Sequence, residues 1–275
     1  METKLETIRR PRFAACALAA IAALSYLIAG PTLSPASALP AFGNESLKGS
    51  YSVLLTKSRS DPSSGPEALV GVFNFDGAGN LAITSFTDNE NGNITTGSGT
   101  GGYSVNRDGT GVMTLGLSNG DNGTFSIVID AKGKGFQMML TECNNGCGSS
   151  ILSGTAVATG RTSFSNASLK GAQEFSTTTW TTTQNSSAQI DLGILTFDGA
   201  GNVKASVTQD SAGTVTTIKA NGTYSVNSDG GGSIVLTSKQ GSTTFAFAID
   251  AAGKGLQLIK AVSGDSVQSG TATQQ

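Results

Sequence analysis

Phe75-Asp76-Gly77-Ala78-Gly79-Asn80 returns in this chain as Phe197-Asp198-Gly199-Ala200-Gly201-Asn202, 122 positions further on. Other short blocks recur around that hexapeptide in the same order. Ser46-Leu47-Lys48-Gly49 matches Ser168-Leu169-Lys170-Gly171 at an offset of 122, Tyr103-Ser104-Val105-Asn106 matches Tyr224-Ser225-Val226-Asn227 at 121, and Ile129-Asp130-Ala131 matches Ile249-Asp250-Ala251 at 120. Ser153-Gly154-Thr155-Ala156 ends the series against Ser269-Gly270-Thr271-Ala272 at 116. The offset shrinks only between blocks, and most where the first copy carries Cys143 and Cys147. The chain is therefore a tandem duplication of a unit of about 115 residues, large enough for a core of its own. The expected organisation is a first repeat over 39–159, a connection over 160–166 and a second repeat over 167–275.

Within a copy the segments are short, rich in Val, Ile, Thr, Phe and Tyr, and separated by Gly, Asp and Asn, which is how strands and turns read. The first copy predicts eight strands near 50–57, 68–76, 80–88, 93–105, 110–118, 123–130, 135–141 and 150–158. Tyr51, Val53 and Leu55 alternate onto one face, as do Phe125, Ile127 and Ile129, and in the second copy Phe245, Phe247 and Ile249. Asp76-Gly77-Ala78-Gly79, Asp108-Gly109 and Lys132-Gly133-Lys134-Gly135 are hairpin-length turns. Turns this short make sequential strands antiparallel neighbours. A meander with one apolar face removes its edges by closing. The expected fold is all-β: two tandem antiparallel eight-stranded up-and-down barrels after a signal peptide, with a two-sheet sandwich as the alternative. Gly97, Gly99, Gly101 and Gly102 fit a long strand that bends at a barrel corner.

The order S-L-K-G, G-x-F-x-F-D-G-x-G-N, G-x-Y-x-V-x-x-D-G-x-G and a closing S-G-T-A resembles a repeat found in secreted bacterial proteins of unknown role. Those domains are similar to the calycin-like barrels, the broad group that includes lipocalins and avidins. The resemblance covers nearly all of 43–275, twice, and implies a fold. It brings no binding-site motif that maps onto this chain.

The N-terminus reads separately. Lys4, Arg9, Arg10 and Arg12 precede an apolar run over residues 13–30, and Ala36-Ser37-Ala38 follows. A basic start, an apolar core and a small-x-small triplet make a secretory signal peptide over 1–38, cleaved before Leu39; the alternative is an uncut anchor. Cleavage removes four basic and two acidic residues and leaves a net charge of −4, with no further membrane-spanning stretch. The expected location is secreted or cell envelope. In an oxidising compartment, Cys143 and Cys147, separated by Asn144-Asn145-Gly146, are expected to form a disulfide across a turn.

Composition excludes much chemistry. The chain has no histidine, so it lacks the commonest metal ligand and the commonest acid/base group near neutral pH. With 17 Lys+Arg against 19 Asp+Glu it has no basic footprint for nucleic acid. The repeated acids Asp76, Asp108, Asp130, Asp198, Asp229 and Asp250 stand at turns, where a structural role is expected. The oxygen-rich stretch over 88–93 does not have the spacing of the helix-flanked twelve-residue calcium loop. No metal, cofactor or catalytic residue is expected.

Binding is physically easier to support, because an eight-stranded barrel either fills its interior or holds one small ligand. The expected interior positions are Phe73, Phe75, Leu81, Ile83, Tyr103, Phe125, Ile127 and Met138, and these side chains serve equally to line a cavity or to fill it. Trp180, the only tryptophan, stands among threonines over 176–183; it either covers the barrel mouth or, exposed, stacks on a sugar. The expected function is non-catalytic binding of a small apolar ligand or a surface glycan. The alternatives are a structural or adhesive envelope protein with packed barrels, and a barrel enzyme such as an isomerase. A buried carboxylate or tyrosine facing a cavity would favour the enzyme. Expression of the full sequence in an exporting host should give a polypeptide that starts at Leu39 and takes up no alkylating agent at Cys143 or Cys147 before reduction. N-terminal sequencing and intact mass test this, and a retained N-terminus or two alkylated thiols would contradict it.

Overall fold

A computed structural model describes residues 41–58, 65–130, 132–143, 151–182, 189–251 and 253–275. The expected signal peptide and Cys147 lie outside the described residues. The first copy folds as β1 (Lys48–Ser58), β2 (Glu67–Asp76), β3 (Asn80–Glu90), β4 (Asn93–Val105), β5 (Thr110–Leu117), β6 (Asn122–Ile129), β7 (Gly135–Cys143) and β8 (Ile151–Ala158). Each strand lies within two residues of its expected bounds. The second copy gives β9 (Lys170–Thr181), β10 (Gln189–Asp198), β11 (Asn202–Ser211), β12 (Thr214–Val226), β13 (Gly231–Ser238), β14 (Gly241–Asp250), β15 (Gly255–Lys260) and β16 (Ser266–Gln274).

Within each copy every strand pairs antiparallel with its sequence neighbour, and each set of eight closes on itself. β1 meets β8 from Tyr51↔Ala158 to Ser58↔Ile151, and β9 meets β16 from Gln173↔Gln274 to Thr181↔Ser266. Closure settles the choice between barrel and sandwich. The residues that alternate inward form two separate cores, one around Tyr51, Phe73, Phe75 and Phe136, the other around Leu195, Phe197, Phe247 and Leu256.

The recurring motifs turn out to be closures. In the first barrel the Ser-Leu-Lys-Gly block follows a short 3-10 turn, Asn44–Ser46, that caps one end. The Tyr103 hydroxyl donates to the Leu47 carbonyl at 2.9 Å, and Asn44 Oδ1 accepts from the Val105 amide at 2.8 Å. In the second barrel the Tyr224 hydroxyl lies within 3.0 Å of the Asn166 and Leu169 carbonyls, and Asn166 Oδ1 accepts from the Val226 amide at 2.9 Å. The Asp-Gly-Ala-Gly-Asn turn is held the same way twice. Asn80 Nδ2 donates to Asp76 Oδ2 at 2.7 Å and Asn202 Nδ2 to Asp198 Oδ2 at 2.6 Å. The Oδ1 atoms accept from the Ala78 and Asn80 and the Ala200 and Asn202 amides, and these donors, the asparagine side chains first, hold both carboxyls down to about 2.

The bend expected in β4 is shared with β3, whose register shifts between Ile83 and Phe86 on both sides. The β4 glycines serve close approach: a Cβ at Gly101 would stand 2.0 Å from the Thr114 carbonyl oxygen. The shift turns Thr84 and Ser85 outward, where both hydroxyls reach Asp229 Oδ2 of the second barrel, at 2.9 and 2.7 Å.

The two barrels pack through their outer faces. Ala68, Val70 and Val72 of β2 lie against Ala246 and Ala248 of β14, Ile259 of β15 and Val267 of β16. Around this apolar patch, Asn89 Nδ2 donates to the Lys260 carbonyl at 2.9 Å and Gln257 Nε2 to Thr155 Oγ1 at 3.3 Å. Replacing Tyr224 by Phe removes the hydroxyl that latches the cap of the second barrel and should lower stability by about 1–2 kcal/mol. Urea unfolding followed by fluorescence would read this, and an unchanged midpoint would show that the latch contributes nothing.

Candidate functional site

Because the copies share one register, each inward position of the first barrel has a counterpart in the second, and the counterparts differ in size. Phe73 becomes Leu195, Ile83 becomes Ala205, Phe86 becomes Val207 and Tyr51 becomes Gln173. Among the described residues, the first barrel's interior is packed. Phe73, Phe75, Tyr103, Phe125, Ile127 and Met138, the expected ligand-lining residues, are all buried and belong to one packed cluster. Tyr51, Phe75, Tyr103 and Phe136 pack ring on ring, with centroids 5.0–5.7 Å apart.

The second barrel retains a cavity of about 280 Å³, near the lower end of the volumes that hold small molecules, about 300 Å³. Its floor is apolar, built from Phe175, Leu195, Val207, Ile234, Phe245 and Leu258. Its rim is polar, and again the copies explain why. Where the first barrel places Leu55, Leu69, Leu140 and Leu152 inside, the second places Thr177, Asp191, Lys260 and Gln268. Asp191 is 7 % exposed and lines the cavity. Gln268 Nε2 donates to Asp191 Oδ2 at 2.6 Å and to Thr177 Oγ1 at 2.7 Å, while Gln189 Nε2 lies 3.2 and 3.3 Å from the two Asp191 oxygens. Lys260 Nζ donates to Ser266 Oγ at 2.7 Å. Buried Thr179 Oγ1, on the same wall, has no hydrogen-bond partner in the fold. This belt can orient a polar group of a ligand whose remainder lies on the apolar floor.

Sequence reasoning sought the site among the aromatics of the first copy and missed Asp191, Gln268 and Lys260. The signal that finds them is the exchange of leucine for polar residues between matched strands. Trp180 corrects a second expectation. Along β9 the inward residues are Gln173, Phe175, Thr177 and Thr179, so Trp180 falls one position out of phase. It stands on the outer wall, 36 % exposed, and neither covers the mouth nor lines the interior.

The matching end of the first barrel carries charge instead. Lys57 Nζ lies 3.3 Å from Glu67 and 3.6 Å from Glu90. Asp88, buried beside them, has an Oδ1 without a hydrogen-bond partner. Its carboxyl is pushed up to about 8, first by burial and then by the negative charges of Glu67, Glu90 and Asp121, with Lys57 acting in the opposite direction. Among the described residues no group of three or more His, Cys, Asp or Glu side chains is arranged to hold a metal ion.

No protein-family model matches this chain, and no curated protein sequence does. Among solved structures, the chain is similar to a protein of unknown function of the DUF3598 family from Nostoc punctiforme PCC 73102, with 10 % identity over 84 % of this chain and 97 % of that one and a TM-score of 0.27. It is also similar to a putative AttH from Nitrosomonas europaea, with 9 % identity over 90 % and 98 % and a TM-score of 0.28. A Myxococcus xanthus hemagglutinin in complex with a mannopentaose gives 12 % identity over 82 % and 99 % and a TM-score of 0.17. At scores this low none of them bears on what the chain does.

Asp88 sets a pH dependence. The folded state holds its proton up to about pH 8, whereas the unfolded chain releases it near 3.8. Between those values the folded state binds more protons, so stability falls as pH rises. Asp88→Asn should flatten the thermal midpoint between pH 5 and 8 and raise it at pH 8. Equal slopes for the two proteins in a calorimetric pH series would refute the assignment.

Proposed function

We propose that the protein is an exported, non-catalytic binding protein in which the second barrel holds one small amphipathic molecule and the first is a packed support. The observation that carries this reading is the contrast between two copies of one fold: a filled interior in one and, in the other, a cavity with an apolar floor and a polar rim. A buried polar group without a partner is costly in a folded protein, and Thr179 Oγ1 is one such group beside the cavity. A ligand supplying a polar contact there would recover that cost. Export, and a disulfide between Cys143 and Cys147, rest on the sequence. The calycin-like resemblance fits the same reading, since such barrels hold small apolar molecules.

One observation favours a second reading. Asp191 is a buried carboxylate facing a cavity, the arrangement that a proton-transferring enzyme such as an isomerase requires. Its oxygens are already engaged by Gln189 and Gln268, which suits anchoring better than proton transfer.

Native mass spectrometry of the protein isolated from its own host should reveal a discrete added mass that denaturation releases. Ala220→Phe, which fills the cavity, should abolish that mass without unfolding the barrel. Bare wild-type protein, with no thermal shift against lipids and pigments, would overturn the reading. Asp191→Asn separates the two readings: an anchor variant loses affinity, whereas an enzyme variant keeps its ligand but no longer converts it.

A further inference from the structure

The contact between the two barrels uses one face of each, and the duplication supplies both faces again, uncovered. On the first barrel the buried face is Ala68, Val70 and Val72 of β2. At the repeat offset of 122, the matching residues of β10 are Ile190, Leu192 and Ile194, which are 48, 54 and 39 % exposed. On the second barrel the buried face is Ala246, Ala248, Ile259 and Val267. Its matches in the first barrel are Ser126, Val128, Met139 and Ile151, and the last three are 54, 51 and 53 % exposed. The registers agree, since Ala246 pairs with Ile259 as Ser126 pairs with Met139. Six of the eleven large apolar side chains left exposed among the described residues therefore lie on these two faces. Apolar residues exposed in contiguous groups mark interaction surfaces.

We propose that the chain assembles head to tail with copies of itself, the β10 face of one molecule seating on the β6–β7–β8 face of the next and repeating the contact within the chain. A cavity of about 490 Å³ opens on the β10 face, lined by Leu192, Ile194, Thr208 and Thr271. Thr271 matches Thr155, which accepts from Gln257 within the chain, and exposed Gln137 matches Gln257. Asp108 and Ser206, both exposed, match Asp229 and Ser85, which bond across the existing contact. Gly92 sits so close to Gly264 that a Cβ would stand 1.5 Å from its carbonyl oxygen, whereas the matching Gly213 has the same positive φ with open space beside it. Several differences weaken the repeated contact: Thr84, which bonds Asp229 within the chain, has no counterpart in β11, and Ser126 stands where Ala246 is apolar. Asp210 stands where Asn89 donates to the second barrel, so that bond is lost. The apolar side chains are also larger than their counterparts, and Met139 is the one best able to adapt.

A contact of this kind joins two different faces, so it continues into a ring or a filament, and blocking either face stops it. Leu192→Asp blocks the β10 face and Met139→Asp the opposite one. Light scattering on protein expressed from the full sequence should give a multiple of the single-chain mass for the wild type, decreasing on dilution. Each variant alone should give one chain. An equal mixture should give two chains and no more, because one intact head and one intact tail remain. A wild type of single-chain mass up to its solubility limit would overturn the proposal. So would a variant that still assembles alone, since like faces would then be pairing, or a mixture that stays at one chain. Should an aspartate variant lose its thermal transition, Leu192→Thr and Met139→Thr apply the same criteria.

Discussion

Closure of the meander is the constraint on which everything else rests. Once β1 pairs with β8 and β9 with β16, no strand edge remains open, and parity assigns strand residues to the inside or the outside except where a register shift, as at Thr84 and Ser85, interrupts it. The inside has a volume set by eight strands, and its occupancy depends only on which side chains the sequence places there. The outside is a wall whose character also changes strand by strand. A duplicated closed barrel therefore offers two independent places for the copies to diverge.

The fold was largely legible in the sequence. Period-two patterning, Asp-Gly turns and the repeat itself lead to sixteen strands in two closed sets, because each of those signals is local and closure follows from short turns. The site was less legible. Aromatic residues such as Phe73 and Phe125 draw attention to the first copy, yet a ring inside an eight-stranded barrel mostly fills it. Cavities come from what is missing, and Leu195 and Val207 attract no notice until they are set beside Phe73 and Phe86. Trp180 failed for a simpler reason: the residues on either side of it are threonines, so nothing in the segment declares its phase, and a shift of one residue exchanges inside for outside.

Comparison of the copies also separates structural acids from acids that face a site. Asp76 and Asp198 recur in matched turns, hold matched amides and sit below the usual carboxylate range for the same reason. Asp191 has no acidic counterpart, since leucine occupies the matching position. Asp88 likewise corresponds to Gln209. These two acids, neither of which recurs, are the ones buried near the barrel mouths, where a charge is costly. Recurrence thus marks what the fold needs, and its absence marks where the copies took on separate roles.

The outer wall reverses that logic. Inside, the copies differ because one is packed and the other is not; outside, apart from Ser126 against Ala246, they agree in being apolar at positions where only one member of each pair is covered. Ala68, Val70 and Val72 are apolar because the second barrel covers them. Ile190, Leu192 and Ile194 have no such cover within the chain, and they are larger rather than more polar. Branched aliphatics favour a strand, but three in a row on one exposed face also form a contiguous apolar surface, and the matched face of its twin shows what such a row does when another barrel meets it. The asymmetry of the join explains why the chain leaves two such faces rather than none: a contact between unlike faces, made once between two copies, always leaves one face of each kind unused.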